Sequence, residues 1–100
     1  MKRETIPEYC AAMGSVMADY VYARTMSIPD LAASMAYFDE MREAAVVATV
    51  EEIRAGGEGN LDVLRDATAM TLEAFQTRVE LLIKARRGKA NIVPVVFGTA

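Results

Sequence analysis

The sequence predicts an all-α protein: a short N-terminal helix packed on a long antiparallel helical hairpin, an extended apolar tail, and two copies sharing one bundle. Three observations lead there. Apolar residues recur at three- and four-residue steps through three separate stretches, which is the spacing of a helix face. Gly56-Gly57 and Gly88 fall where those stretches must stop or turn. Residues 44–50, AAVVATV, leave their helix almost no polar side, so it must be covered from more than one direction.

Residues 1–4 are polar and precede the first helix. Thr5-Ile6-Pro7-Glu8 reads as its start: a hydroxyl to accept from a free backbone N–H, a proline that loses nothing in the first turn, and an acid to complete a capping box. The predicted helix covers 6–26. Ile6, Cys10, Met13, Met17 and Tyr20 form one face, and Tyr9, Ala12, Val16 and Ala23 widen it. Gly14 costs roughly 1 kcal/mol against alanine in a helix interior, unless it marks a close approach of two helices.

Ser27-Ile28-Pro29-Asp30 repeats the sequence hydroxyl, isoleucine, proline, acid. Proline disfavours helical geometry in the residue before it, so the chain breaks near Met26 and Ser27. A second helix then covers 28–55. Leu31, Met35, Phe38, Ala45, Thr49 and Ile53 make its seam, with Met41, Val46 and Val50 beside it. Its outer charges include Asp39 with Arg42 and Glu51 with Arg54, ordinary surface pairs three residues apart.

Gly56-Gly57-Glu58-Gly59-Asn60 supplies a helix stop and, in Asn60, the cap of the next helix. It is not a phosphate loop, because it follows a helix rather than a strand and carries Glu58. The third helix is predicted over 61–87, with Leu61, Leu64, Thr68, Leu72, Phe75, Val79 and Leu82 inward. Two long helices joined by so short a loop lie antiparallel. Gly88 is read as the stop. The tail, 89–100, contains Ile92, Val93, Pro94, Val95, Val96 and Phe97, an uncharged run expected to lie extended in a groove of its own or a neighbouring chain.

One hundred residues make one domain, 1–100, and a hydrophobic share of 53% makes it globular. Mean hydropathy of +0.15 is high for so short a chain, which keeps much of its surface in water. A shared core explains that value best. A net charge of −3 opposes nucleic-acid binding. Lys84, Arg86, Arg87 and Lys89 are expected at a helix end, where cations complement the macrodipole. With one cysteine and no histidine, no disulfide within the chain is available and the commonest general base is missing. No apolar run reaches the roughly 20 residues that span a bilayer, and the first residues do not read as a signal peptide. A cytoplasmic protein is expected, with no membrane partner and no cofactor.

Candidate chemistry is sparse. Glu40 and Glu43 share a helix face at E-x-x-E spacing, and this resembles the metal-binding motif of all-α pyrophosphohydrolases of the MazG type. Those pair it with E-x-x-D on the next helix, a spacing that Asp62, Asp66 and Glu73 do not make. A solvated acidic face explains the two residues without a metal. Cys10 lies on the apolar stripe and reads as a small core residue. Tyr9, Tyr20, Tyr22 and Tyr37 are read as packing residues. Seven methionines suit either a gap-filled core or a surface that repacks on partners.

Pro29-Asp30-Leu31 opening a long helix, the Gly56-Gly57 loop and the Val93-Pro94-Val95 ending give a plan similar to that of TraM-type quorum-sensing antiactivators. The resemblance is confined to these three short pieces. It implies a small helical protein that sequesters a transcription factor.

The expected function is that of a small non-enzymatic helical protein acting through protein–protein contact, as a regulator, antiactivator, inhibitor or adaptor. It is expected to be a homo-oligomer with a further protein partner. Met13, Met17, Tyr20, Val46, Val50, Ile92, Val93, Val95, Val96 and Phe97 are the candidate interface residues. The alternative is a metal-dependent hydrolytic or small-molecule-binding all-α domain that uses Glu40, Glu43 and acids of the third helix.

Overall fold

The computed structural model describes residues 1–88 in full, and of residues 89–99 the helix to which they belong. A 3-10 turn, Arg3–Thr5, leads into three helices: α1 Ile6–Met26, α2 Leu31–Ala55 and α3 Leu61–Thr99. No strand occurs among the described residues. All three helices pack on one another.

The buried residues fall into two groups. Ile6 and Cys10, early in α1, meet Ile53 near the end of α2 and Ala67 near the start of α3. Ala18 and Val21, later in α1, meet Phe75 and Val79, with Phe38, Met41 and Ile83 packed around them. The contacts along α2 therefore run in the opposite order to those along α1 and α3. Phe75 is fully buried and its ring sits 5.7 Å from that of Phe38 in a tilted pair. Burying a ring of that size contributes about 3 kcal/mol at most, so the second group anchors this half of the bundle.

Between the two groups α1 and α3 come unusually close. A Cβ added to Gly14 would lie 2.7 Å from the carbonyl oxygen of Thr71, 2.8 Å from Ala74 Cβ and 3.0 Å from Phe75 N. The glycine is thus the contact point of two backbones. It also turns α1. The buried line is Ile6, Cys10, Gly14, Ala18, Val21 and Thr25, whereas Met13 and Met17 are half-buried at its edge and Tyr20 is exposed. The face expected from residue size is rotated, because small residues occupy the narrowest seam and large ones flank it.

The helix ends differ from expectation in instructive ways. Thr5 makes no side-chain cap; its hydroxyl donates to Lys2 O at 2.7 Å, inside the 3-10 turn. α2 begins at Leu31 rather than at residue 28, because Asp30, not Ser27, is its cap and accepts from Ala33 N at 2.8 Å. Ser27 instead closes α1, donating to Arg24 O. Asn60 caps α3 as read, accepting from Asp62 N and Val63 N. At the end of α2, Gly57 has φ +112, a conformation that favours glycine. Glu58 N donates to Ile53 O and Gly57 N to Arg54 O, the paired bonds of a Schellman stop.

Gly88 does not stop α3. It stays inside the helix, without positive φ, and the helix is bounded at Thr99. A glycine within a helix costs only about 1 kcal/mol, too little to end one by itself. Lys84, Arg86 and Arg87 are therefore mid-helix and do not serve a C-terminal dipole. Residues 89–99 belong to α3, so the extended path expected for the tail, 89–100, is not taken there, and the packing of its side chains lies outside the described residues.

Candidate functional site

Two surfaces stand out once the core is accounted for. The first is the outward side of α1. Directly opposite the buried line, Ala12, Val16, Tyr20 and Ala23 recur at helical spacing and all are exposed, Val16 at 61% and Tyr20 at 53%. Helix α1 therefore carries an apolar stripe on its outward side as well as the buried line that meets the bundle, with Glu8 and Asp19 along the stripe's border. Asp19, beside this stripe, is drawn off it by Arg78, whose Nε donates to Asp19 Oδ1 at 2.7 Å. Arg24 lies over the Tyr20 ring, 5.9 Å from its centroid. Across a shallow groove, Leu81 of α3 is 52% exposed and lies in line with Val16.

The second surface is a cavity of about 690 Å³ where the end of α1, the start of α2 and the second half of α3 meet. Its walls are chiefly apolar: Tyr22, Met26, Leu31, Met35, Phe38, Val79 and Ile83. Leu31 and Met35, expected to be core, are 73% and 60% exposed at its edge. Ser34, between them, is the residue turned toward α1, its hydroxyl bonded to Thr25 O, so the early apolar seam of α2 faces away from the core. Asp39, Glu80, Arg86 and Arg87 bring charge to the lining, and Asp39 is paired with Arg42 at 3.5 Å.

The lining also includes Thr25. Its Oγ1 is buried and has no hydrogen-bond partner, although its carbonyl accepts from the Ser34 hydroxyl at 3.0 Å. The other two buried threonines differ. Thr49 donates to Ala45 O and Thr71 to Ala67 O, each at 2.8 Å, the usual way a helix satisfies a threonine.

The remaining expected residues are placed as follows. Val46 is buried in the core and Val50 packs against the Ile53 group; Met17 packs against the Phe75 group. Ile92, Val93, Val95, Val96 and Phe97 lie outside the described side chains. Glu40 and Glu43 line a groove with Asp39, Arg42, Val46 and Leu72, while Glu73 faces the groove between α1 and α3. Among the described residues no three acids, cysteines or histidines come together as a metal site. Cys10 is buried. Among the described residues no helix is long and apolar enough to cross a membrane.

At the far end of the bundle, polar contacts tie the N-terminal segment to the α2–α3 loop. Arg3 donates through Nε and Nη2 to the two carboxylate oxygens of Glu58, at 2.8 and 3.1 Å. That bond, with help from Asn60 N, holds the Glu58 carboxyl below its ordinary range and raises Arg3. The Tyr9 hydroxyl donates to Glu52, which pushes the phenol up to about 12; burial adds to the shift. These shifts follow from pinning contacts at this end of the bundle, and none of the three groups lies in a cleft with a reacting partner.

No family model, no curated protein and no solved structure matches this chain.

Proposed function

We propose that this chain is a small non-enzymatic helical protein that works by protein–protein contact, and that the contact is made by the outward side of α1. One observation carries the reading: Ala12, Val16, Tyr20 and Ala23 leave an exposed apolar stripe along α1, bordered by Glu8 and Asp19, while its opposite face fills the core. An apolar stripe of this kind on the outside of a helix is a surface that a partner can cover. A second copy is the commonest cover, because a twofold pair buries the same stripe from each chain. In such a pair the long α2–α3 hairpin forms the outer wall and α1 the seam. Exposed Tyr20, stacked with Arg24, is the kind of rigid, amphipathic group that anchors interfaces. The half-buried Met13 and Met17 flank it and adapt to what lies against them.

A regulator, inhibitor or adaptor uses such a seam in one of two ways, by pairing with itself or by exchanging its own copy for a partner helix. Replacing Val16 and Tyr20 together by glutamate tests this. Circular dichroism should show an unchanged helix content, since neither side chain reaches the core, while sedimentation should show lost self-association. A variant that associates as the parent does rules the seam out.

A further inference from the structure

We propose that the cavity between the end of α1, the start of α2 and the second half of α3 is a binding site for a small amphipathic acid, an aliphatic chain bearing one carboxylate. This is independent of the α1 seam. At about 690 Å³ the cavity falls within the roughly 300–1,000 Å³ typical of small-ligand sites. Its body is apolar, from Tyr22 and Met26 across Leu31 and Met35 to Phe38 and Ile83, and so fits a hydrocarbon rather than a polar metabolite.

Its charged lining is unequal in effect. Asp39 is already matched by Arg42, which leaves Glu80 against two guanidinium groups, Arg86 and Arg87. With Asp39 so paired, the lining keeps one more cation than anion, which favours an anionic head group. Arginine is also the side chain best suited to grip a carboxylate with two bonds.

Thr25 adds the second sign. A buried hydroxyl without a partner is a standing cost, and buried polar groups are rarely left so. Because it has no bond to lose, this hydroxyl is free to turn toward the cavity that Thr25 lines. There it donates to a ligand oxygen, whereas the other buried threonines, Thr49 and Thr71, stay committed to their own helices.

Dodecanoate, titrated calorimetrically below its micellar range, tests the site, with 1-dodecanol as the uncharged probe of the same length. The proposal expects saturation at one dodecanoate per chain. Changing Arg86 and Arg87 together to glutamine should weaken dodecanoate about tenfold and leave dodecanol within about twofold, as loss of charge-assisted bonds requires. Thr25→Val should weaken dodecanoate about fivefold, while Thr25→Ser retains it, as loss of one hydrogen bond implies. The same Thr25→Val change should raise the melting temperature of the unliganded protein, so weaker binding cannot be taken for unfolding. Absence of saturable binding, or binding indifferent to the double arginine change, overturns the proposal. So does sedimentation in which Leu31→Gln alone dissociates a dimer, since a second copy would then occupy the cavity.

Discussion

Replacing Gly14 by alanine should destabilise the protein, against the rule that alanine improves a helix interior. The rule alone offers a gain of about 1 kcal/mol. The structure opposes it with three fixed atoms: Thr71 O at 2.7 Å, Ala74 Cβ at 2.8 Å and Phe75 N at 3.0 Å from the new methyl. None sits at the end of a side chain that could swing aside. Restoring ordinary contact, which begins at 3.4 Å, requires 3.4 minus 2.7, or 0.7 Å, of added separation between α1 and α3. A gap of that size forfeits about a quarter to a half of the dispersion energy of each pair along the seam. Overpacking of this kind costs roughly 1–3 kcal/mol, so after the propensity gain the net loss reaches about 2 kcal/mol at most. For a domain of this size that lowers the melting temperature by up to roughly 16 °C. Gly88→Ala is the internal control. It is also a helical glycine, and a Cβ there meets nothing within 4 Å, so it should stabilise by up to about 1 kcal/mol. Thermal melts followed at 222 nm compare the two directly. If both substitutions stabilise equally, the backbone contact at Gly14 does not exist and the packing of α1 on α3 is wrong.

Other outcomes follow from the same geometry. Asn60→Ala removes the cap of α3 and should cost about 1 kcal/mol in urea unfolding, whereas Thr5→Ala, which loses no cap bond, should cost less. Gly57→Ala should destabilise by more than about 1 kcal/mol, because alanine must enter a conformation it disfavours. The Tyr9 phenol should titrate near pH 12 by ultraviolet difference, and Glu52→Gln should lower that midpoint. Its raised value favours the protonated fold, so the contribution is complete below the ordinary phenol range and disappears as pH rises toward 12. Glu58 has the opposite sign. Its contribution is present above the ordinary carboxylate range and is lost as pH falls through its lowered value. Arg3→Gln should therefore destabilise at neutral pH, and the difference from the parent should shrink in acid.

Periodicity made the three helices legible because hydrophobic spacing alone decides helix against strand. Asn60 and the Gly56-Gly57 stop were legible too, because their side-chain chemistry acts locally. Which residues faced the core was not. Met13, Met17 and Tyr20 outrank Gly14 and Ala18 in size and oiliness, yet the seam chose the small residues so that two backbones could meet. Ser27 and Asp30 both qualified as caps, and only the direction of the chain after Pro29 separated them. The cavity was invisible in sequence for a related reason. Leu31 and Met35 carry the spacing of core residues, and their exposure depends on where α1 ends in space. Thr25 gave no signal, since an unsatisfied hydroxyl is a property of packing. A cue was present for the α1 stripe: Ala12, Val16 and Ala23 widened a face already wide enough for one partner.

Sedimentation velocity on the intact chain from low to high micromolar concentration bears most directly on the proposal that α1 needs a second cover. The parent should shift from one copy toward two as concentration rises, and the Val16→Glu/Tyr20→Glu double variant should remain single with its helices intact. A parent that stays a single copy throughout, with Tyr20 freely quenched by solvent, would contradict the account.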